Sequence, residues 1–156
     1  MRTIFWVVME TTAKILGRAD KVDFLELGLK NIKVKMDTGA FTSSIHCCKI
    51  RENKVDGFSV IEFQLLDESF PGPHDKIHRF TDYRKKDIKS SCGTVQSRFI
   101  IQTKVIVFGE TMPIELSLTE RWEMKYPILI GRSFLTKRFV IDTSKINMSY
   151  KAKKKE

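Results

Sequence analysis

Asp37, Thr38 and Gly39 set a carboxylate, a hydroxyl and a glycine at consecutive positions, directly after a stretch in which apolar Ile32, Val34 and Met36 alternate with Lys33 and Lys35. Such alternation predicts a strand with one buried face, so the carboxylate stands where the strand ends in a tight turn. A carboxylate held at that point can pair with a second one and activate a water molecule. The same tripeptide also makes an ordinary structural turn, and the chemistry therefore needs a second signal. It lies downstream in Tyr126-Pro127-Ile128-Leu129-Ile130-Gly131-Arg132, a short apolar run that ends in Gly-Arg.

Taken together, the two segments resemble the retropepsin-like aspartic peptidases, in which an Asp-Thr-Gly-Ala turn is followed by a flap hairpin and an apolar Gly-Arg segment packed beneath the turn. A narrower resemblance is carried by Leu16-Gly17-Arg18, Leu25-Glu26-Leu27-Gly28, Lys33 through Ser44, and Ile130 through Leu135. These look like the bacterial family labelled ATP-dependent zinc protease, which is retropepsin-like and often encoded beside ATP-grasp glutamate ligases. The sequence has neither a Walker-type phosphate loop nor a His-Glu-x-x-His helix, so the label does not describe its motifs.

The resemblance implies roles. Asp37 from each of two chains would share a proton and activate water between them, Thr38 would bond across the dimer, and Gly39 would let backbone amides approach the carboxylates. Ala40 would face substrate. Gly131 would let its segment pass close under the turn, and Arg132 would support the turn through a carboxylate or backbone carbonyls. The flap falls at Ser90-Ser91-Cys92-Gly93-Thr94, which assigns Cys92 and Gly93 to substrate contact; the alternative is a plain connecting turn. Family members usually carry a basic residue after Asp-Thr-Gly-Ala, whereas Phe41 stands here and suggests an apolar subsite.

Other constellations are weaker. Asp142-Thr143-Ser144 imitates a second copy after Phe139-Val140-Ile141, but serine lacks the backbone freedom of glycine and too little chain follows to build another Gly-Arg support. It reads as a strand end. His46, Cys47, Cys48, His74, His78 and Cys92 lack the paired spacing of a structural zinc site, and no spacing singles out a nucleophilic Cys-His pair. No metal and no cofactor is expected.

The elements that must position these residues fit in one domain. With 156 residues and 42% hydrophobic content the chain can bury a single core, yet it has one complete Asp-Thr-Gly, so a two-carboxylate site requires a homodimer. Residues 1–15 read as an N-terminal extension, 16–150 as the peptidase-like domain and 151–156 as a solvated basic tail. Half-buried strands are expected at Ile61–Leu65, Phe99–Thr103, Val105–Phe108 and Met112–Leu118, with a turn at Gly109-Glu110 and closing strands at Phe139–Ile141 and Ile146–Tyr150. Ser133 caps a short helix to Lys137, and Asp67–Lys89, with Pro71-Gly72-Pro73, reads as a long loop. The fold class is all-β: a small closed acid-protease barrel with one short helix.

Three cysteines without disulfide spacing point to a reducing compartment, hence the cytoplasm. Ile4 to Met9 is apolar but interrupted by Glu10 and followed by no cleavage site, and no stretch is long enough for a membrane span. The net charge of +9 favours an anionic partner. No nucleic-acid motif accompanies it; the basic cluster from Arg79 to Lys89, read as a loop beside the cleft, and the resemblance to a family associated with glutamate ligases imply a peptide or protein substrate, acidic or glutamate-extended. Two other classes compete with the endopeptidase: a dimeric binding module that keeps the barrel without cutting, and a basic adaptor on ribosomes or nucleic acid.

Overall fold

In the computed structural model, which describes residues 13–65, 75–90, 92–120 and 125–155, the alternation before Asp37 becomes strand β3 (Leu29–Met36). Leu29, Ile32, Val34 and Met36 are buried along it, and Lys30, Asn31, Lys33 and Lys35 are exposed. Before it come β1 (Lys14–Leu16) and β2 (Ala19–Phe24); after it come β4 (Ser43–His46), β5 (Cys48–Val55), β6 (Phe58–Gln64), β7 (Ile77–Phe80) and β8 (Tyr83–Lys89). The chain continues through β9 (Val95–Val107), β10 (Glu110–Thr119), β11 (Ile128–Ile130), helix α1 (Arg132–Leu135), β12 (Phe139–Ile141) and helix α2 (Met148–Lys154).

Six strands close a barrel in the order β3-β2-β9-β10-β4-β11 and back to β3. Closure pairs every edge of the ring. Its parallel contacts are β3 with β11 and β4 with β10, so the strand that delivers Asp37 and the strand that delivers Gly131 run side by side to the same end. Phe24, Val34, Ile45, Ile101, Leu116 and Ile128 fill the core. β8 joins only β9 and extends the sheet outward, while β5, β6 and β7 form a separate three-stranded sheet and β1 pairs with β12 in parallel.

Several expectations are corrected. Part of the long loop is strand: β7 and β8 occupy Ile77–Phe80 and Tyr83–Lys89. Pro71-Gly72-Pro73 and His74 lie outside the described residues, as do residues 1–12 with the Ile4–Met9 run. The two strands expected between Phe99 and Phe108 are one, β9, which ends at Val107 and turns through Phe108 (φ 52°) and Gly109 (φ 74°), a left-handed pair suited to a two-residue hairpin. Glu62, expected on the wet face of β6, is 2% exposed because Asn53 and Arg79 bond its carboxylate at 2.9 and 2.8 Å. Helix α1 begins at Arg132 after Gly131, without a side-chain cap from Ser133. The closing strand expected at Ile146–Tyr150 is replaced by α2, which runs to Lys154 through most of the supposed tail.

Candidate active site

The turn after β3 is held from below by the segment that ends β11. The Asp37 N–H donates to the Ile130 carbonyl at 2.8 Å, the Arg132 N–H to Ala40 O at 2.8 Å and the Ser133 N–H to Phe41 O at 2.8 Å. Arg132 then reaches up, its Nη1 donating to the Thr38 carbonyl at 2.9 Å. A Cβ on Gly131 would sit 2.6 Å from Phe41 O, so only glycine lets the two backbones cross. Within the turn the Gly39 N–H donates to Asp37 Oδ1 at 3.0 Å, fixing the carboxylate's direction. Asp37 and Ala40 are half-buried, and Thr38, Gly39 and Phe41 are exposed.

One member of this scaffold was not singled out by its own chemistry. Ser43 is fully buried, and its Oγ accepts the Gly131 N–H at 2.9 Å. It satisfies a donor that would otherwise be orphaned at the crossing. Its position at the start of a buried strand was the available signal, since a hydroxyl there needs a partner.

The same construction occurs twice. The Asp142 N–H donates to Leu16 O at 2.8 Å, the Arg18 N–H to Lys145 O at 3.0 Å, and Arg18 Nη1 to Thr143 O at 3.3 Å. A Cβ on Gly17 would lie 2.1 Å from Lys145 O. Asp142-Thr143-Ser144 thus has its own Gly-Arg support, supplied from upstream by Gly17-Arg18 and not by the short stretch of chain that follows it. The carboxylates differ in their settings. Asp142 Oδ1 accepts both the hydroxyl and the N–H of Ser144, at 2.6 and 3.0 Å, and Lys145 stands 3.8 Å away. The Ser144 hydroxyl and N–H, aided by Lys145, hold Asp142 below its ordinary range. A carboxylate so tied is a structural anion.

Beside Asp37 opens a cleft of about 600 Å³ lined by Ala40, Phe41 and Thr42 after the turn, by β8 from Lys86 to Lys89, and by Ser90. Lys86, Lys89, Arg98 and Arg132 line it against two carboxylates, Asp37 and Asp87. Of the basic residues from Arg79 to Lys89, Lys86 and Lys89 thus line the cleft itself. β8 and β9 form the hairpin expected as a flap, with the Gly93 N–H donating to Ser90 O, the Ser90 N–H to Thr94 O, and Gly93 at φ 83°. Cys92 is exposed near the tip. Neither Cys92 nor Gly93 lines the cleft of a single chain, and Ser91 lies outside the described residues.

Cys47, Cys48 and His78 have structural settings. Burial pushes the Cys47 thiol up, which removes it as a nucleophile. Cys48 Sγ donates to Gln64 O at 3.3 Å, and His78 stacks on Phe63 with burial lowering its basicity. Among the described residues no group of three or more His, Cys, Asp or Glu is placed to hold a metal ion. No helix among them is long and apolar enough to cross a membrane.

Comparison with known proteins adds to this geometry. A family model described as RimB-like, retropepsin-like aspartic endopeptidase RimB, matches residues 15–152. A protein of Desulfotalea psychrophila named probable alpha-L-glutamate ligase is 34% identical over 137 residues, covering 83% of this chain and 28% of its own length. A protein of the same name from Shewanella halifaxensis is 33% identical over 132 residues, with the same 83% and 28% shares. The chain thus spans 28% of the length of these curated relatives. A Legionella pneumophila protein of unknown function, solved as a crystal structure, superposes with a TM-score of 0.70 at 21% identity over 87% of this chain and 98% of that one, a likeness of fold.

Proposed function

Because the chain belongs to the RimB-like family of retropepsin-like aspartic endopeptidases, we propose that it hydrolyses peptide bonds as a homodimer whose two Asp37 carboxylates meet at the two-fold axis. The observation that carries this reading is the hold on Asp37: a carboxylate fixed by the Gly39 N–H, in a turn floored by Ile130–Ser133 and opening on a cleft. The exposure of Thr38 and Gly39 in the single chain suits a contact with the same turn of a second copy.

Two carboxylates within hydrogen-bond reach cannot both ionise easily, so they share one proton. One draws a proton from the water between them as it attacks the scissile carbonyl carbon, and the other protonates the carbonyl oxygen. As the tetrahedral intermediate collapses, the leaving nitrogen takes up a proton from one carboxyl while a gem-diol hydroxyl returns one to the other, which restores the singly protonated dyad. No covalent intermediate forms. The β8–β9 hairpin closes over an extended peptide and excludes bulk water.

The substrate class in this proposal is an acidic peptide, such as a glutamate-extended protein tail. Its support is the cationic lining of the cleft and the glutamate-ligase names of relatives that carry a similar segment. Action in the cytoplasm belongs to the same proposal, in line with three free cysteines. The decisive experiment compares wild type with Asp37→Asn on an unbiased peptide library. Cleavage by the wild type that Asp37→Asn abolishes, that a hydroxyl-bearing mimic of the tetrahedral intermediate blocks and that EDTA leaves intact supports the reading. Cleavage that survives Asp37→Asn, or that is lost with EDTA and restored by zinc, refutes it.

A further inference from the structure

Two hollows meet at a single side-chain contact. The cleft beside Asp37 and a second hollow of about 430 Å³ against β10 and α1 share Phe41 and Lys86 in their walls. There the Lys86 ammonium lies over the Phe41 ring, 5.4 Å from its centroid, and Phe41 remains 57% exposed. A ring face attracts an ammonium without neutralising it. The setting of Arg84, two residues earlier on β8, is different: its guanidinium meets Glu115 at 2.6 Å, and Gln102 takes the other oxygen of that carboxylate. Within 4 Å Lys86 forms no ion pair among the described residues, and its charge acts on Glu115 from further off.

Its cross-strand partner in the β8–β9 register is Arg98, which also lines the cleft. The Phe41 backbone carbonyl is meanwhile fixed by the Ser133 N–H, so the ring that holds Lys86 stands on the same clamp that holds Asp37. The ring thus links the Lys86 ammonium to the segment that carries Asp37.

We propose that Lys86, positioned by Phe41, is a specificity-determining residue that receives an acidic side chain of the peptide bound beside Asp37. The inference rests on the peptidase reading above and names the group that reads the substrate. It also gives Phe41 a different task from a purely apolar subsite, since its ring carries a cation. Phe41 is a positioning residue in this scheme.

The test uses two peptides of equal length that differ only in Glu against Gln at positions flanking the scissile bond. Lys86→Gln lowers the acidic-to-neutral ratio of kcat/KM about tenfold, the usual scale for losing one close charge contact, and Lys86→Glu inverts the preference. Phe41→Leu lowers the same ratio through KM, whereas Phe41→Tyr, which keeps a ring face, retains it. Binding of both peptides to Asp37→Asn, followed by fluorescence anisotropy, reads the subsite without catalysis. If the wild type cuts neither peptide, the peptidase reading fails alone, and selective loss of acidic-peptide binding in Asp37→Asn/Lys86→Gln still upholds the subsite. No preference for the acidic peptide, or an equal loss for both peptides on changing Lys86, overturns it.

Discussion

Ser43 spends its only side-chain acceptor on a backbone donor, the Gly131 N–H, in a fully buried place. Replacing it with alanine leaves that N–H without a partner and costs about 1–3 kcal/mol. Gly131→Ala meets a harder obstacle, because the new Cβ would lie 2.6 Å from one backbone atom and 2.9 Å from two others, none of which can swing aside. We expect urea midpoints in the order wild type, Ser43→Ala, Gly131→Ala, with peptide cleavage falling in the same order as the turn loosens. A Gly131→Ala protein with the wild-type midpoint and rate would show that this crossing does not hold the turn.

Among the elements, α2 is docked chiefly through polar contacts. Asp20, 1% exposed, accepts the N–H groups of Lys21, Ser149 and Tyr150, and the Ser149 Oγ accepts the Phe108 N–H. Lys153 completes the attachment, with its Nζ 2.8 Å from Asp23 and 2.9 Å from Asn31. Burial pushes the Asp23 carboxyl up, but bonds from Lys153 and the Asn31 N–H, with the charges of Lys153 and Lys30, outweigh it and hold the group below its ordinary 3.8. A carboxyl depressed in the folded state adds stability that is complete above its unfolded value and is lost as pH falls through the folded value. The wild-type melting midpoint should therefore drop more steeply than that of Asp23→Asn below about pH 4; parallel curves would remove Asp23 from the acid response. None of this attachment was legible locally. Ile146–Tyr150 looked like a strand because its apolar residues alternate, and its helical start at Met148 depends on Asp20, far away along the chain. β8 was missed for the opposite reason: as an edge strand outside the barrel it has no buried face, so charges at Arg84, Lys85, Lys86 and Lys89 masked it. β3, β10 and β11 were readable because each buries one face or a whole apolar run.

At the scale of the whole molecule, one chain supplies one Asp37 turn, and the second aspartate turn is bonded into a structural role by Ser144 and Lys145. Specific activity should therefore fall as the protein is diluted below its dimer dissociation constant, in step with the monomer fraction from sedimentation. Constant specific activity through the monomer range would refute the shared site. The two clamps carry a further consequence, one of timing. Asp37 waits for Ile130–Ser133, and Gly17-Arg18 for Asp142–Lys145, and chains leave the ribosome from the N-terminus. While the intervening strands are being made, the Asp37 N–H lacks its carbonyl and the Thr38 carbonyl lacks its arginine. A polypeptide still under synthesis thus holds the Asp37 turn without its floor, and the turn is completed only once residues 130–133 have been made.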